Sequence, residues 1–471
     1  MSTITSPGLA SGIDVKGIVS QLVALERAPL APLQTQATSF QTKLSTYGTI
    51  KSQFSALGDA AAKLASPSGW SSVTATSSNS AAIGVTVAAG APATSITMTV
   101  QQLAKAQSTA SSAVATGSGA GSGSMTIELG AWSGSSFTAG SGTPVSVTIN
   151  PGEDTLAEIA AKINDADAGV SATVLKDASG ERLLVRSKET GLENGFRITV
   201  ADDDGNDTDA SGLSRLAFAV GSANGMTQSQ AGQNATATIN GVSISSASNR
   251  LADTLPGMTI QLSQVTTAPV EIDVSADTEA VRANVQAFVD AYNTLNSTLS
   301  NATRYDAGTK KAGALQGDST ATGLQNALRG MMRSVTGGTP YTRLADVGIE
   351  LKTGGALALD AEKFDASLSN LEGLKNLFTV DTGSATTEGF GRKIKTFAEG
   401  LIDADGLVST KASALQKSID RNGLEQERVN DRAARAETRY LAQYNAMDAA
   451  VAKLSGLNAF VSQQITLWNK G

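Results

Sequence analysis

YLAQYNAMDAAVAKLSGLNAFVSQQITLWNKG, residues 440–471, closes the chain and decides how the rest of it is read. Tyr440, Tyr444, Met447, Val451, Leu454, Asn458, Val461, Ile465 and Trp468 follow one another at alternating steps of four and three, so all of them lie on one stripe of a helix. This is a heptad seam with one polar interruption. Such a helix is marginal alone in water, because nucleation is unfavourable and the stripe stays wet until something covers it. A regular seam placed where chains usually fray points to a partner.

The opposite end carries matching material. Val15, Ile18, Leu22 and Leu25 keep the three-four rhythm and Pro29 and Pro32 interrupt it. Leu33, Phe40, Tyr47, Phe54 and Ala61 then recur every seven residues beside Ile50, Leu57 and Leu64. Val281, Val285, Phe288, Tyr292, Leu295 and Leu299 mark a third helix, with Asp277 in its candidate N-cap region. Segments 41–70 and 278–303 read as an intramolecular bundle. The extreme ends read as leg helices, disordered in a free monomer until a partner arrives.

Past Ser66-Pro67-Ser68-Gly69 the texture changes to short alternating runs such as SITMTV, SMTIEL, FRITVA, MTIQLS and PVEIDV, each a predicted strand bounded by turn residues. STASSAVATGSGAGSGS, residues 108–124, reads as a Gly/Ser-rich linker or long flexible loop. One helix is predicted among the strands, in EDTLAEIAAKINDAD, with Leu156, Ile159 and Ile163 on one face. Further on, Ile349 and Leu351 match Leu357 and Leu359 across a Gly354-Gly355 turn, and Asp360 is placed to cap the next helix.

The expected fold class is therefore α+β and multidomain, a discontinuous helical bundle or coiled coil from both chain ends plus inserted β-rich domains. The expected division is terminal leg helices at 1–40 and 436–471, a helical domain with a small β-hairpin at 41–74 and 276–435, a β-rich plate at 75–107 and 232–275, and a second β-rich domain at 108–231. Helix, β insert, helix is a chain that goes out and comes back, with both termini expected at one pole.

Composition removes several functions. The 471 residues contain no His and no Cys, which excludes Ser-His-Asp and Cys-His constellations, HExxH zinc sites, disulfides and thiol chemistry. A formal net charge of −7 argues against a nucleic-acid partner. No run of 18 apolar residues exists, so no membrane insertion is expected. MSTITSPGLASGIDVKGIVSQLV lacks the layout of a cleavable signal peptide.

Sharper candidates fail on spacing. DDDGNDTD, 202–209, would need Gly and Glu where an EF-hand loop begun at Asp202 has Asp207 and Leu213, so it reads as an acidic turn. Asp202, Asp204, Glu181 and Glu189 offer carboxylates for glycoside hydrolysis with nothing to set their separation. No enzyme and no cofactor is expected. DRNGLEQERVNDRAARAETR, 420–439, alternates sign as a solvated helical face does, Glu425 with Arg428 and Asp431 with Arg435 at helix-neighbour spacing. Trp468 is either an interface anchor or a core residue of whatever bundle forms.

Taken together, GLASGIDVKGIVSQLVALERAPLAPLQTQ, MTVQQLAKAQSTAS, VTINPGEDTLAEIAAKIND, ATINGVSISSASNRLADTLPGMTIQL, ALQGDST and LADVGIELKTGGALALDAEKF resemble the flagellar hook-associated protein 2 family, the filament cap proteins, over essentially the whole chain. The resemblance implies flagellin-like β domains and a closed homo-oligomeric ring at the distal tip of the flagellum. It implies flagellin as a partner folding beneath the cap, contacts with hook-filament junction proteins and a dedicated export chaperone, and passage through the flagellar type III apparatus. Mobile terminal legs would dock through Ile18, Leu22, Leu25, Tyr440, Tyr444, Met447, Val451, Leu454, Val461, Ile465 and Trp468. A flagellin or junction subunit is the alternative, and an adhesin binding host glycans through its β domains is a third reading.

Overall fold

The computed structural model describes residues 14–469. Its helices are α1 (Val15–Arg27), α2 (Leu30–Ala65), α3 (Leu156–Asp165), α4 (Thr278–Thr303), α5 (Ser319–Met332), α6 (Ala361–Leu368), α7 (Leu371–Thr379), α8 (Phe390–Ile402) and α9 (Leu407–Trp468). The chain divides into a unit made from both ends, up to Trp70 and from Glu279 onward, and a unit made from Ser71–Thr278.

In the first unit the heptad residues of α2 become a core. Tyr47, Ile50, Phe54, Leu57, Ala61 and Leu64 are fully buried together with Val281, Val285, Phe288, Tyr292, Leu295 and Leu299 of α4. Pro29 stands at the N-cap of α2 and Pro32 in its first turn, where a missing amide proton costs nothing, so the prolines separate α1 from α2 without kinking either. α2 then continues unbroken through residue 40 and α9 through residue 436, so the helices themselves have no joint at the expected leg boundaries.

The hairpin pairs Ile349 with Leu359 and Leu351 with Leu357, and the Asp360 carboxylate accepts from the Lys363 amide to start α6. It is fixed to α4 by Asn293, whose side chain donates to Leu357 O and accepts from Leu357 N, both at 2.8 Å, in the manner of a neighbouring strand. The Tyr292 hydroxyl donates to Gly355 O at 2.9 Å.

Asp318 ties three helices together. Its Oδ1 accepts from the Thr320 and Ala321 amides at the start of α5 and from the Tyr47 hydroxyl of α2 at 2.9 Å, while Oδ2 lies 3.1 Å from Lys411 Nζ of α9. Burial pushes this carboxyl up, but the hydrogen bonds from Lys411, Tyr47 and Ala321 outweigh it and hold it below the ordinary aspartate range. A carboxyl depressed on folding stabilises above its unfolded titration and loses that stabilisation as pH falls through the folded value. Asp318→Ala should therefore destabilise the helical unit by about 2 to 4 kcal/mol at neutral pH, the sum of a lost cap and unpaired partners. The deficit should shrink as pH falls below about 4. Urea melts of wild type and variant across that range check it.

The second unit contains two cores. One lies between a five-stranded antiparallel sheet, ordered 73–77, 270–276, 94–102, 235–239, 242–246, and a three-stranded sheet, ordered 250–255, 258–262, 83–87. Strict alternation in TSITMTVQQ turns Ile96, Met98 and Val100 inward, and Ile96 pairs with Ile272 on the neighbouring strand. The other core gathers Ile127, Val147, Val185, Phe196 and Ile198 from two four-stranded sheets around α3. Thr155 and Glu158 close a capping box on α3, and Leu156, Ile159, Ala160 and Ile163 face inward.

The stretch 108–124 is not a flexible linker. Ser108–Ala110 is a strand paired with Leu184–Arg186, Val114 exchanges two 2.8 Å backbone hydrogen bonds with Glu181, and Ala120 is buried. Small residues are required there because the segment runs directly against other backbone: a Cβ on Gly121 would meet Leu213 N at 2.6 Å. Low side-chain complexity here reflects close approach rather than freedom.

Candidate assembly interface along the terminal helices

Asp14 opens α1 by accepting from the Gly17 amide at 2.9 Å. Val15, Val19 and Val23 of α1 are buried against Ala433 of α9, with Tyr440, Leu441 and Tyr444 partly buried beside them. Glu26, near the end of α1, pairs with Arg432 at 3.2 Å, while the apolar contacts extend from there toward Tyr444. The two helices are therefore antiparallel, with the start of α1 beside Tyr444.

The face of α1 that packs on α9 differs from the stripe read in the sequence. Val15 is buried as read, but its buried companions stand at steps of four, on Val19 and Val23, rather than on Ile18, Leu22 and Leu25. Ile18 and Leu22 are half-buried and Leu25 is 71% exposed. α1 is apolar on two adjoining faces, and the smaller β-branched face packs with Ala433. The signal was the valine triplet at perfect i, i+4 spacing.

The charged run 420–439 is only partly a solvated face. Glu425 and Arg428 pair at 2.6 Å in the open, but Asn422, Val429, Ala433 and Ala436 are buried. Asn422 Nδ2 donates to Gln36 Oε1 of α2 at 3.1 Å.

Beyond Tyr444 the seam loses its cover. Val451 is half-buried, whereas Met447, Leu454, Val461, Ile465 and Trp468 are exposed, Trp468 at 87%. Val451, Leu454, Leu457, Asn458 and Val461 lie together on one open face of α9. Leu457, Phe460 and Leu467, which the seam reading left out, form a second exposed apolar row beside it. Between Tyr440 and Asn469 the only charged residues are Asp448 and Lys453. A continuous exposed apolar row with so few charges has the composition of surfaces that associate by burial.

Elsewhere the acidic groups are engaged structurally. Asp202 accepts from the Ser214 amide at 2.8 Å and Asp207 from the Asp202 amide at 2.7 Å, so DDDGNDTD is a turn folded on its own carboxylates. Among the described residues no group of three or more His, Cys, Asp or Glu is placed to hold a metal ion, and no helix is long and apolar enough to cross a membrane.

The helical unit ends in a helix whose apolar seam is uncovered, and the chain carries a β-rich insertion between the two parts of that unit. The family described as flagellar hook-associated protein 2 matches in two parts, its N-terminus over residues 11–107 and its C-terminus over 232–456, with a flagellin hook IN motif over 136–189. The flagellar hook-associated protein 2 of Escherichia coli O157:H7 is 31% identical, covering 98% of either chain, and that of Salmonella typhimurium is 30% identical over 100% of each. The crystal structure of the D1-D2-D3 domains of the flagellar cap protein FliD from Escherichia coli is similar at a TM-score of 0.59 and 30% identity, covering 79% of this chain and 99% of that one. The chain belongs to the flagellar hook-associated protein 2 family, the cap proteins of the bacterial flagellum.

Proposed function

We propose that the protein closes the distal tip of the growing flagellar filament as a homo-oligomeric ring and promotes the folding and insertion of exported flagellin through its terminal helices. The observation that carries this reading is the uncovered seam from Met447 to Trp468, attached to a unit whose own core is complete. Covering each Leu, Val or Ile contributes roughly 1.5 to 3 kcal/mol, so the seam supplies on the order of 10 kcal/mol before ordering costs. That is enough to couple ordering of the legs to docking. Leg contacts then exchange as each flagellin enters beneath the ring, and closure keeps assembly from running on as an open filament. The same seam, together with Ile18, Leu22 and Leu25, is the surface a hook-filament junction protein meets first and an export chaperone must shield.

Helix without cover opens easily. In the free monomer, amides of residues 447–468 should exchange with deuterium within seconds, while those of 47–64 in α2 are protected by orders of magnitude. Strong protection of 447–468 in a dilute monomer would sink the docking-coupled leg. Negative-stain microscopy tests the ring: discrete closed particles from the full-length chain support it, and long open filaments refute it.

A further inference from the structure

The helical unit buries a lysine without a carboxylate beside it. Lys393, near the start of α8, is 7% exposed, and its Nζ donates to Val335 O at 2.7 Å and to Ser334 Oγ at 3.3 Å, just past the end of α5. An ammonium carries three N–H groups, so one is left for a further acceptor. The Phe390 ring, 5.4 Å away, offers a face rather than a counter-charge. Among the described residues Lys393 makes no ion pair: Glu388, the carboxylate that bears on it, lies 3.5 Å from Arg392 Nε, and Arg392 also holds Asp381 at 2.7 Å. Burial lowers the amine from the ordinary lysine value, the mark of a charge that lacks compensation.

The amine borders an apolar cleft between α5 and α8. Ala327, Gly330 and Met331 of α5 and Phe397 of α8 line it together with Lys393 and Ser334. The segment before α8 is held in place, since the Gly337 amide donates to Thr387 O at 2.6 Å and the Gly389 amide to Val380 O at 2.8 Å, so the cleft exists before any ligand arrives. A Cβ on Gly330 would meet nothing within 4 Å, which leaves open space over α5. The apolar lining covers one turn of α5, from Ala327 to Met331, and so suits a short chain.

We propose that this cleft binds a small monocarboxylate with a short apolar chain, its carboxylate on Lys393 Nζ and its chain along Met331 and Phe397. The carboxylate supplies both the missing counter-charge and the acceptor for the third N–H, and the chain covers two half-buried apolar side chains. None of these residues belongs to the terminal seam, so the site is independent of the docking legs.

Sodium octanoate and octanol are the probes, because they share a chain and differ in charge. The chain has 8 methionines, so the Met331 methyl signal can be followed by nuclear magnetic resonance in the full-length protein carrying isotope-labelled methionine, with Met331→Leu to assign it. That signal should saturate with octanoate at a concentration at least about ten-fold below the one octanol needs, the advantage of a charge-assisted hydrogen bond. Lys393→Met keeps the apolar stem and loses the ammonium, so the two probes should become equal; Glu388→Gln removes a like charge, so octanoate should bind more tightly. Gly330→Phe, at an exposed position, should fill the cleft and abolish both responses. Equal binding of the two probes by the unaltered chain, or shifts that never saturate, overturns the site, and this comparison holds even where Lys393→Met fails to fold. Octanoate still shifting Met331 in Gly330→Phe as it does in the unaltered chain would overturn it as well.

Discussion

Replacing Val451 and Leu454 together by Asp should abolish capping and leave the monomer folded. Val451 is half-buried and Leu454 is 66% exposed, so in the free chain both changes occur largely in water and cost at most about 1 kcal/mol in total. On docking the same positions enter an apolar seam, where an unpaired carboxylate carries a desolvation penalty of several kcal/mol. Two such penalties lower the docking constant by at least about 10⁴-fold, since each 1.4 kcal/mol is a factor of ten. The measurement is filament length by electron microscopy in cells carrying only the variant, with circular dichroism of the purified chain to establish folding. Full-length filaments from the double variant would show that the seam does not dock.

The sequence announced the α2 and α4 seams because each faces a single intramolecular core, so a clean four-three rhythm has one meaning. Tyr47 to Leu64 and Val281 to Leu299 were legible for that reason. The α3 face, the Ile349–Leu359 hairpin and the Asp360 cap were local patterns and equally readable. Which face of α1 meets Ala433 was not legible, because α1 is apolar on two faces and periodicity alone does not choose between them. The strand at 108–110 was hidden because backbone contact, rather than side-chain alternation, fixes it. Asn293 and Asp318 were invisible for a further reason. Each bonds groups far away in sequence, Asn293 to Leu357 and Asp318 to Tyr47 and Lys411, and an isolated Asn or Asp gives no sign of a distant partner. At the candidate interface the apolar row was legible from its heptad spacing and its openness was expected of a regular seam that calls for a partner; the second exposed row of Leu457, Phe460 and Leu467 was not read.

Phe378→Ala should produce the largest loss of stability in the helical unit. Phe378 is fully buried near the end of α7, with its ring centre 5.6 Å from that of Trp70 and 6.3 Å from that of Phe288, the second contact edge-to-face. Trp70 is held in turn by its indole, which donates to Leu64 O at the end of α2 at 2.8 Å. One ring therefore links α2, α4 and α7, and removing it opens a cavity that three helices cannot close without moving apart. Truncation of a buried Phe costs about 3 to 5 kcal/mol. For a unit of this size that corresponds to a fall in melting temperature of roughly 6 to 20 °C. The β-rich unit, with its own two cores, should keep its transition, so calorimetry of the full chain would show one component moving and one standing still. Phe378→Leu, which refills most of the volume, should recover more than half of the loss. A shift below about 2 °C for Phe378→Ala would mean that the helices are held by the Asp318 and Asn293 hydrogen bonds rather than by the aromatic contact. That outcome would move the mechanical link between the hairpin and the long helices from the apolar core to the polar ties.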